Sequence, residues 1–239
     1  MRAIEPVPDA TCAVDVWRVP LQGTHDLTLL SAPERARHQR YVNPVAAQGF
    51  AAARSALRRL LAARLGVDAG SLRIEAGPQG KPFLPDHPAT RFNVTHAGGL
   101  ALIALCDACE VGIDLEWPAS FATEGPLASI ACNAAERRWL DAHPRDAARA
   151  LGRLWTRKEA LLKALGTGLV HEPARVDLST QIEVSRGETT LDAADGASRL
   201  AWADLAPLGD AFGAVAAVVP LSGTTIAVHW RDDRAFCHS

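Results

Sequence analysis

No charge of either sign dominates this sequence: 25 Lys and Arg stand against 27 Asp and Glu, a formal net charge of −2 over 239 residues. A chain whose main partner is nucleic acid normally carries a basic surplus, so that class is set aside and any basic site must be local. Long hydrophobic runs are missing too. LALIALC and AFGAVAAVV are far too short to cross a bilayer, and MRAIEPVPDA has acids and prolines where a signal peptide needs an apolar stretch. The expectation is a soluble, cytoplasmic protein with no membrane partner. Five cysteines, an odd count without an export signal, predict reduced thiols and no disulfide framework. Cys106 and Cys109 form one CxxC with no second pair and no nearby histidine at ligand spacing, a pattern that favours a hairpin turn over a zinc or redox centre. GPQGKPF is not a Walker loop, GTG is not a dinucleotide fingerprint, and low-complexity segments and short repeats are absent.

What is present divides into two similar stretches. SAPERARHQRYVNPVAAQGFAAARSALRRLLAARLG holds a charged segment and then a long alanine-rich helix that Gly66 stops. After the loop AGPQGKPFLPDHPAT, the runs RFNVTH, LALIALC and EVGIDLEW read as strands of one small antiparallel sheet. Asn133 followed by Glu136 predicts a capping box opening NAAERRWLDAH, and beyond Pro144 a helix runs through RALGRLWTRKEALLKALG to Gly166. Strand-like runs return in RLAWADL, FGAVAAVVP and TTIAVHW. Helices followed by strands thus occur twice. The order predicts an α+β fold of two pseudosymmetric halves, residues 1–108 and 109–239, each a small antiparallel sheet packed with helices, with the site in the cleft between them.

Within EVGIDLEW, side chains alternate, so Val111, Ile113 and Leu115 point one way and Gly112, Asp114 and Glu116 the other. The acids face either solvent or a crevice. On the helix through LWTRKEALLKALG, Leu151, Leu154, Trp155, Leu161, Leu162 and Leu165 form one stripe, with Glu159 and Lys163 together beside it. Spacing alone also fits an exposed Glu-to-Lys pair worth ~0.3 to 0.5 kcal/mol. Lys158 falls inside the stripe, where a lone charge is costly, and so calls for an acidic partner or an anion. Arg54 projects between Phe50 and Leu61 in the same way, Arg59 points away, and Arg64 sits in the last turn, where the helix dipole and solvent accommodate it. His96 ends RFNVTH beside Phe92 and Val94, a position that a structural histidine also fills; Lys81 in GKP is, alone, a turn lysine. Taken together, Asp114, Glu116 and Glu159 offer the hard oxygen shell that Mg²⁺ selects, and Arg54, Lys81, His96 and Lys163 offer positive charge for a phosphorylated ligand.

GKPFLP, RFNVTHAGG, VGIDLEW and LWTRKEALLKALGTGL, in this order and separation, resemble the broad-specificity (Sfp-type) 4′-phosphopantetheinyl transferases, over most of the chain from ERARHQRY to the final strands. The resemblance implies a monomer of two α+β halves with coenzyme A in the cleft as donor substrate and Mg²⁺ as cofactor. The implied reaction moves the phosphopantetheine arm onto a serine hydroxyl of an apo acyl or peptidyl carrier protein and releases adenosine 3′,5′-bisphosphate. Position by position, it implies that Asp114, Glu116 and Glu159 are the metal ligands and that Glu159 is also the base. It implies further that Lys163 touches the pyrophosphate, that Arg54 and His96 hold the 3′-phosphate, and that Lys81 and Thr95 contact the nucleotide. Arg37 and Arg40 fall where the family places further basic contacts, although VNPVAAQGF lacks the denser basic run common there, a departure that bears on 3′-phosphate affinity. Arg137 and Arg138 are candidate contacts for an acidic carrier. Two other classes remain compatible with the acids: a Mg²⁺-dependent phosphohydrolase of nucleotides or coenzyme A, and a non-catalytic carrier-binding protein.

Overall fold

The computed structural model describes residues 11–22, 25–118, 121, 126–167, 172–193, 196–220 and 222–231. Its first element is a strand that sequence patterning passed over. In TCAVDVWRVP, Cys12, Val14 and Val16 share one face and build β1 (Thr11–Pro20). The charged segment that follows is itself helical, α1 (Ala32–Gln39). It opens with a capping box in which the Glu34 carboxylate accepts from the Ser31 amide at 2.7 Å. Asn43 then caps α2 (Pro44–Leu65), with Pro44 in the first turn, and Gly66, at φ 68°, stops it in the left-handed region that favours glycine.

A short ribbon, β2 (Glu75–Ala76) and β3 (Pro82–Phe83), precedes β4 (Arg91–Ala97), β5 (Leu100–Cys106) and β6 (Val111–Glu116). Next come α3 (Pro126–Ala131), α4 (Ala134–Ala142) and α5 (Ala147–Leu165). The expected capping box is present: Asn133 accepts from the Glu136 amide and Glu136 from the Asn133 amide, both at 2.9 Å. The strands β7 (Arg186–Ala193), β8 (Gly196–Asp204), β9 (Phe212–Val218) and β10 (Thr225–Arg231) complete the described chain.

Two four-stranded sheets result, ordered β10-β1-β5-β4 and β6-β9-β8-β7. The fold is α+β, as expected, with two differences in strand pairing. EVGIDLEW does not join RFNVTH and LALIALC; as β6 it pairs antiparallel with β9 and opens the second sheet. The last strand returns to the first sheet and runs parallel to β1, so that sheet is mixed. The period-2 pattern states which face a strand buries but not which strand lies beside it.

The layers explain the apolar runs. Ala101, Ile103 and Leu105 of β5 pack with Leu57, Leu60 and Leu61 of α2, whereas Leu102, Ala104 and Cys106 turn toward the second sheet. In β9, Ala214 and Ala216 lie under α5 with Leu151, Leu154 and Leu161, and Val215 and Ala217 face back to the first sheet. Both strands are buried on both faces, so they read as continuous hydrophobic stretches. Each buried Leu, Ile or Val contributes roughly 1.5–3 kcal/mol. The molecule is thus helix, sheet, sheet, helix, and the edge strands β4 and β6 meet along a seam. There the Asn93 side chain accepts the Ile113 amide at 3.0 Å, so a side chain does what a neighbouring strand would otherwise do.

Candidate active site

The seam is where the acids lie. Val111, Ile113 and Leu115 enter the inter-sheet core, and Gly112, Asp114 and Glu116 face α5. A Cβ at Gly112 would stand 2.1 Å from the Ala160 carbonyl oxygen and 2.3 Å from the Ala164 amide nitrogen. Only glycine lets α5 rest this closely on β6. That contact carries Trp155, Glu159 and Lys163 onto the acidic side of the strand, where with Thr95 and His96 of β4 they line a pocket of about 310 Å³. Lys163 does not simply form the exposed pair that its spacing from Glu159 allows. Its ammonium donates to Asp114 Oδ1 at 2.6 Å, and Thr95 donates to the same oxygen at 3.2 Å.

Two carboxylate oxygens here, Asp114 Oδ2 and Glu159 Oε1, are buried with no hydrogen-bond partner among the described residues. Unsatisfied buried oxygens carry a desolvation penalty of about 1–3 kcal/mol or more, so they mark a place for a ligand. Burial pushes the Glu159 carboxyl above its usual range; Lys163 opposes the shift, and Asp114 and Glu116 reinforce it. Glu116 is pushed up by burial and by Asp114, while Trp155, donating to it, and Lys163 hold it down. Crowded carboxylates with unsatisfied oxygens fit a hard divalent cation. The three acids line one pocket, although among the described residues their oxygens do not all converge to within 4.8 Å.

Next to this pocket lies a basic one of about 540 Å³, lined by Arg37, Arg40, Tyr41, Phe50, Arg54 and Ile74, and the two share Val94 and His96 of β4. Arg54 is largely buried, as its place on α2 predicts, and lies 3.4 Å from the Glu34 carboxylate. The Arg37 guanidinium sits 5.0 Å from the Phe50 ring centre. His96 is exposed, and so is available to a ligand in either pocket. Lys81 is placed elsewhere. It donates to Glu110 at 2.7 Å and to the Ala164 carbonyl at 2.9 Å, tying the loop before β3 to the end of α5.

Lys158, suspect from its place in the apolar stripe, finds the acidic partner its position calls for: Glu136 at 2.5 Å, both side chains fully buried. It is a structural cation. Arg157 behaves alike, reaching Asp204 at 2.7 Å and three backbone carbonyls. Arg58, fully buried, joins Glu34 at 2.7 Å to the carbonyls of Ala69 and Leu72. Sequence reasoning missed Asn93, Trp155 as a pocket residue, and the Tyr41–Phe50 ring pair, centres 5.5 Å apart. An Asn inside a β-branched run was a readable signal for the first; the others were read as core or left unassigned. Arg137 and Arg138 are exposed on α4.

Comparison with known proteins now adds to the geometry. A sequence profile of the 4′-phosphopantetheinyl transferase superfamily matches residues 110–207. The 4′-phosphopantetheinyl transferase HetI of Nostoc sp. is 35% identical over 165 residues, 65% of this chain and 70% of that one. The chain belongs to the 4′-phosphopantetheinyl transferase superfamily. It is a transferase. Similarity extends to the 4′-phosphopantetheinyl transferase AcpT of Escherichia coli, 39% identical over 92 residues (38% of this chain, 47% of that one), and to the transferase ffp of Bacillus subtilis, 24% identical over 170 residues (64% and 71%). The superfamily profile spans β6 and α5, which supply all three acids, whereas Arg54 and His96 precede it. No helix among the described residues is long and apolar enough to cross a membrane.

Proposed function

We propose that this protein is an Sfp-type 4′-phosphopantetheinyl transferase, acting as a monomer in the cytoplasm, that moves the phosphopantetheine arm of coenzyme A onto a serine of an apo acyl or peptidyl carrier protein. One observation carries the reading: a basic pocket and an acidic pocket are neighbours that share His96 and Val94 in their walls. A 3′-phosphorylated nucleotide joined to a pyrophosphate has the matching order of charges. The functional division follows the two halves, residues 1–108 holding the nucleotide and 109–239 supplying the acids, with the final strand lent back to the first sheet.

Asp114, Glu116 and Glu159 would hold Mg²⁺, which would neutralise the pyrophosphate and make the bisphosphate a better leaving group. Lys163 lies against the pyrophosphate and balances the Asp114 charge. Arg54 and His96, with Arg37 and Arg40, hold the 3′-phosphate, and Thr95 keeps Asp114 in position. Lys81 acts indirectly, by fixing the loop that borders the nucleotide. Glu159, a carboxylate lining the acidic pocket, takes the serine proton. The serine oxygen then bonds to the phosphorus that carries the pantetheine arm. The bond from that phosphorus to the bridging oxygen breaks, and adenosine 3′,5′-bisphosphate departs. Exposed Arg137 and Arg138 attract the acidic carrier.

The test compares transfer of a labelled phosphopantetheine arm by wild type, Glu159→Gln and Arg54→Ala. Glu159→Gln is expected to lower kcat by about 10² to 10⁴, the usual contribution of a positioned base. Arg54→Ala is expected to raise KM for coenzyme A several-fold and leave KM for 3′-dephospho-coenzyme A unchanged. Equal effects on both donors would contradict the pocket assignment.

A further inference from the structure

The CxxC turn gains a third member in the folded chain. Cys12, at the start of β1, meets Cys106 at the end of β5 and Cys109 in the turn before β6, and the three sulfurs all lie within 4.8 Å of one another. Cys12 and Cys106 are 94 residues apart in sequence and their sulfurs are 3.6 Å apart. All three thiols are free. Two thiolates on one tetrahedral ion, each with a metal–sulfur bond of about 2.3 Å, stand about 3.8 Å apart. A disulfide requires about 2.05 Å. The Cys12–Cys106 spacing, which a thiol–thiol hydrogen bond spans in the metal-free protein, also fits two ligands of one ion.

Two further features favour an ion. The turn amides of Ala108 and Cys109 donate to the Cys106 sulfur, the outer hydrogen bonding that orients a thiolate ligand. Cys12 and Cys106 are buried at the rim of the inter-sheet core while Cys109 is half-buried, which leaves an approach from its side. The donors are soft sulfur, unlike the hard oxygens under α5, so the two places select different metals.

We propose that Cys12, Cys106 and Cys109 form a second metal site, for a thiophilic d¹⁰ cation of the Zn²⁺ class, with water as the fourth ligand. Binding forms three metal–sulfur bonds and releases the thiol protons to solvent; no electrons move. The ion ties the first strand of one sheet to the connection that enters the other, and stabilises the face where they pack.

The experiment titrates the reduced full-length protein with Co²⁺ and then Zn²⁺. One equivalent of Co²⁺ is expected to give thiolate-to-metal charge-transfer absorption, which one equivalent of Zn²⁺ abolishes and excess Mg²⁺ leaves intact. Cys109→Ser, a small change in a partly exposed turn, should weaken binding at least tenfold and reduce the absorption. In wild type, Zn²⁺ should slow the reaction of these three thiols with a disulfide reagent at least tenfold, a readout independent of whether the variant folds. Absent charge-transfer absorption, an unchanged Cys109→Ser spectrum, or unprotected thiols would each overturn the proposal. Transfer activity is not read, so the outcome is separate from the fate of the proposed reaction.

Discussion

Asp114 and Glu159 are held in a strained electrostatic balance. Among the described residues each keeps one buried oxygen without a partner, and the nearby cation Lys163 is paired with Asp114. The raised Glu159 carboxyl sets a sign for stability against pH. A carboxyl whose folded pKa exceeds its unfolded value binds its proton more tightly when folded. Its contribution is therefore most favourable below the unfolded value of about 4.3 and is lost as pH rises through the raised folded value. Glu159→Gln removes that burden. Without metal, the variant should melt at a higher temperature than wild type at pH 7.5, and the gap should close toward pH 4; a variant equal or less stable at pH 7.5 would contradict this account of the site. Mg²⁺ should raise the wild-type melting temperature by mass action and raise that of Asp114→Asn much less. An equal rise in both, followed by calorimetry, would count against Asp114 as a ligand.

α5 unites these residues because its stops and contacts are local and its partner strand is not. Gly66 and Gly166 as stops, the Asn133–Glu136 capping box, and the Asp114/Glu116 face of β6 were all legible, because each depends on neighbours within a turn or two. Arg54 and Lys158 were legible as oddities, since charge on an apolar stripe needs a reason, and the structure gives them different ones: a pocket wall and a buried ion pair. The sheet to which β6 belongs was not legible, nor was β1, whose parallel partner β10 begins more than two hundred residues later. Gly112→Ala tests the helix contact. A methyl group forced against the backbone of α5 should destabilise by about 1–3 kcal/mol and lower kcat, because Glu159 and Lys163 move with the helix. Lys158→Met should lose about 3–5 kcal/mol by stranding Glu136, with KM for coenzyme A unchanged. Denaturant midpoints and steady-state kinetics check both; normal stability with lost coenzyme A affinity in Lys158→Met would place that lysine at the ligand after all.

At the scale of the molecule, a helix-sheet-sheet-helix stack turns two edge strands toward each other, and the proposed transfer site depends on that seam. The first half brings arginines on α1 and α2; the second brings acids on β6 and α5; His96 of β4 lines both pockets. The most direct measurement is the intact mass of an apo acyl or peptidyl carrier protein after incubation with this protein, coenzyme A and Mg²⁺, alongside an EDTA control. The account predicts the gain of one phosphopantetheinyl group on the carrier serine, absent with EDTA. No gain on any of several carriers, with coenzyme A demonstrably bound, or a gain undiminished by EDTA, would contradict it.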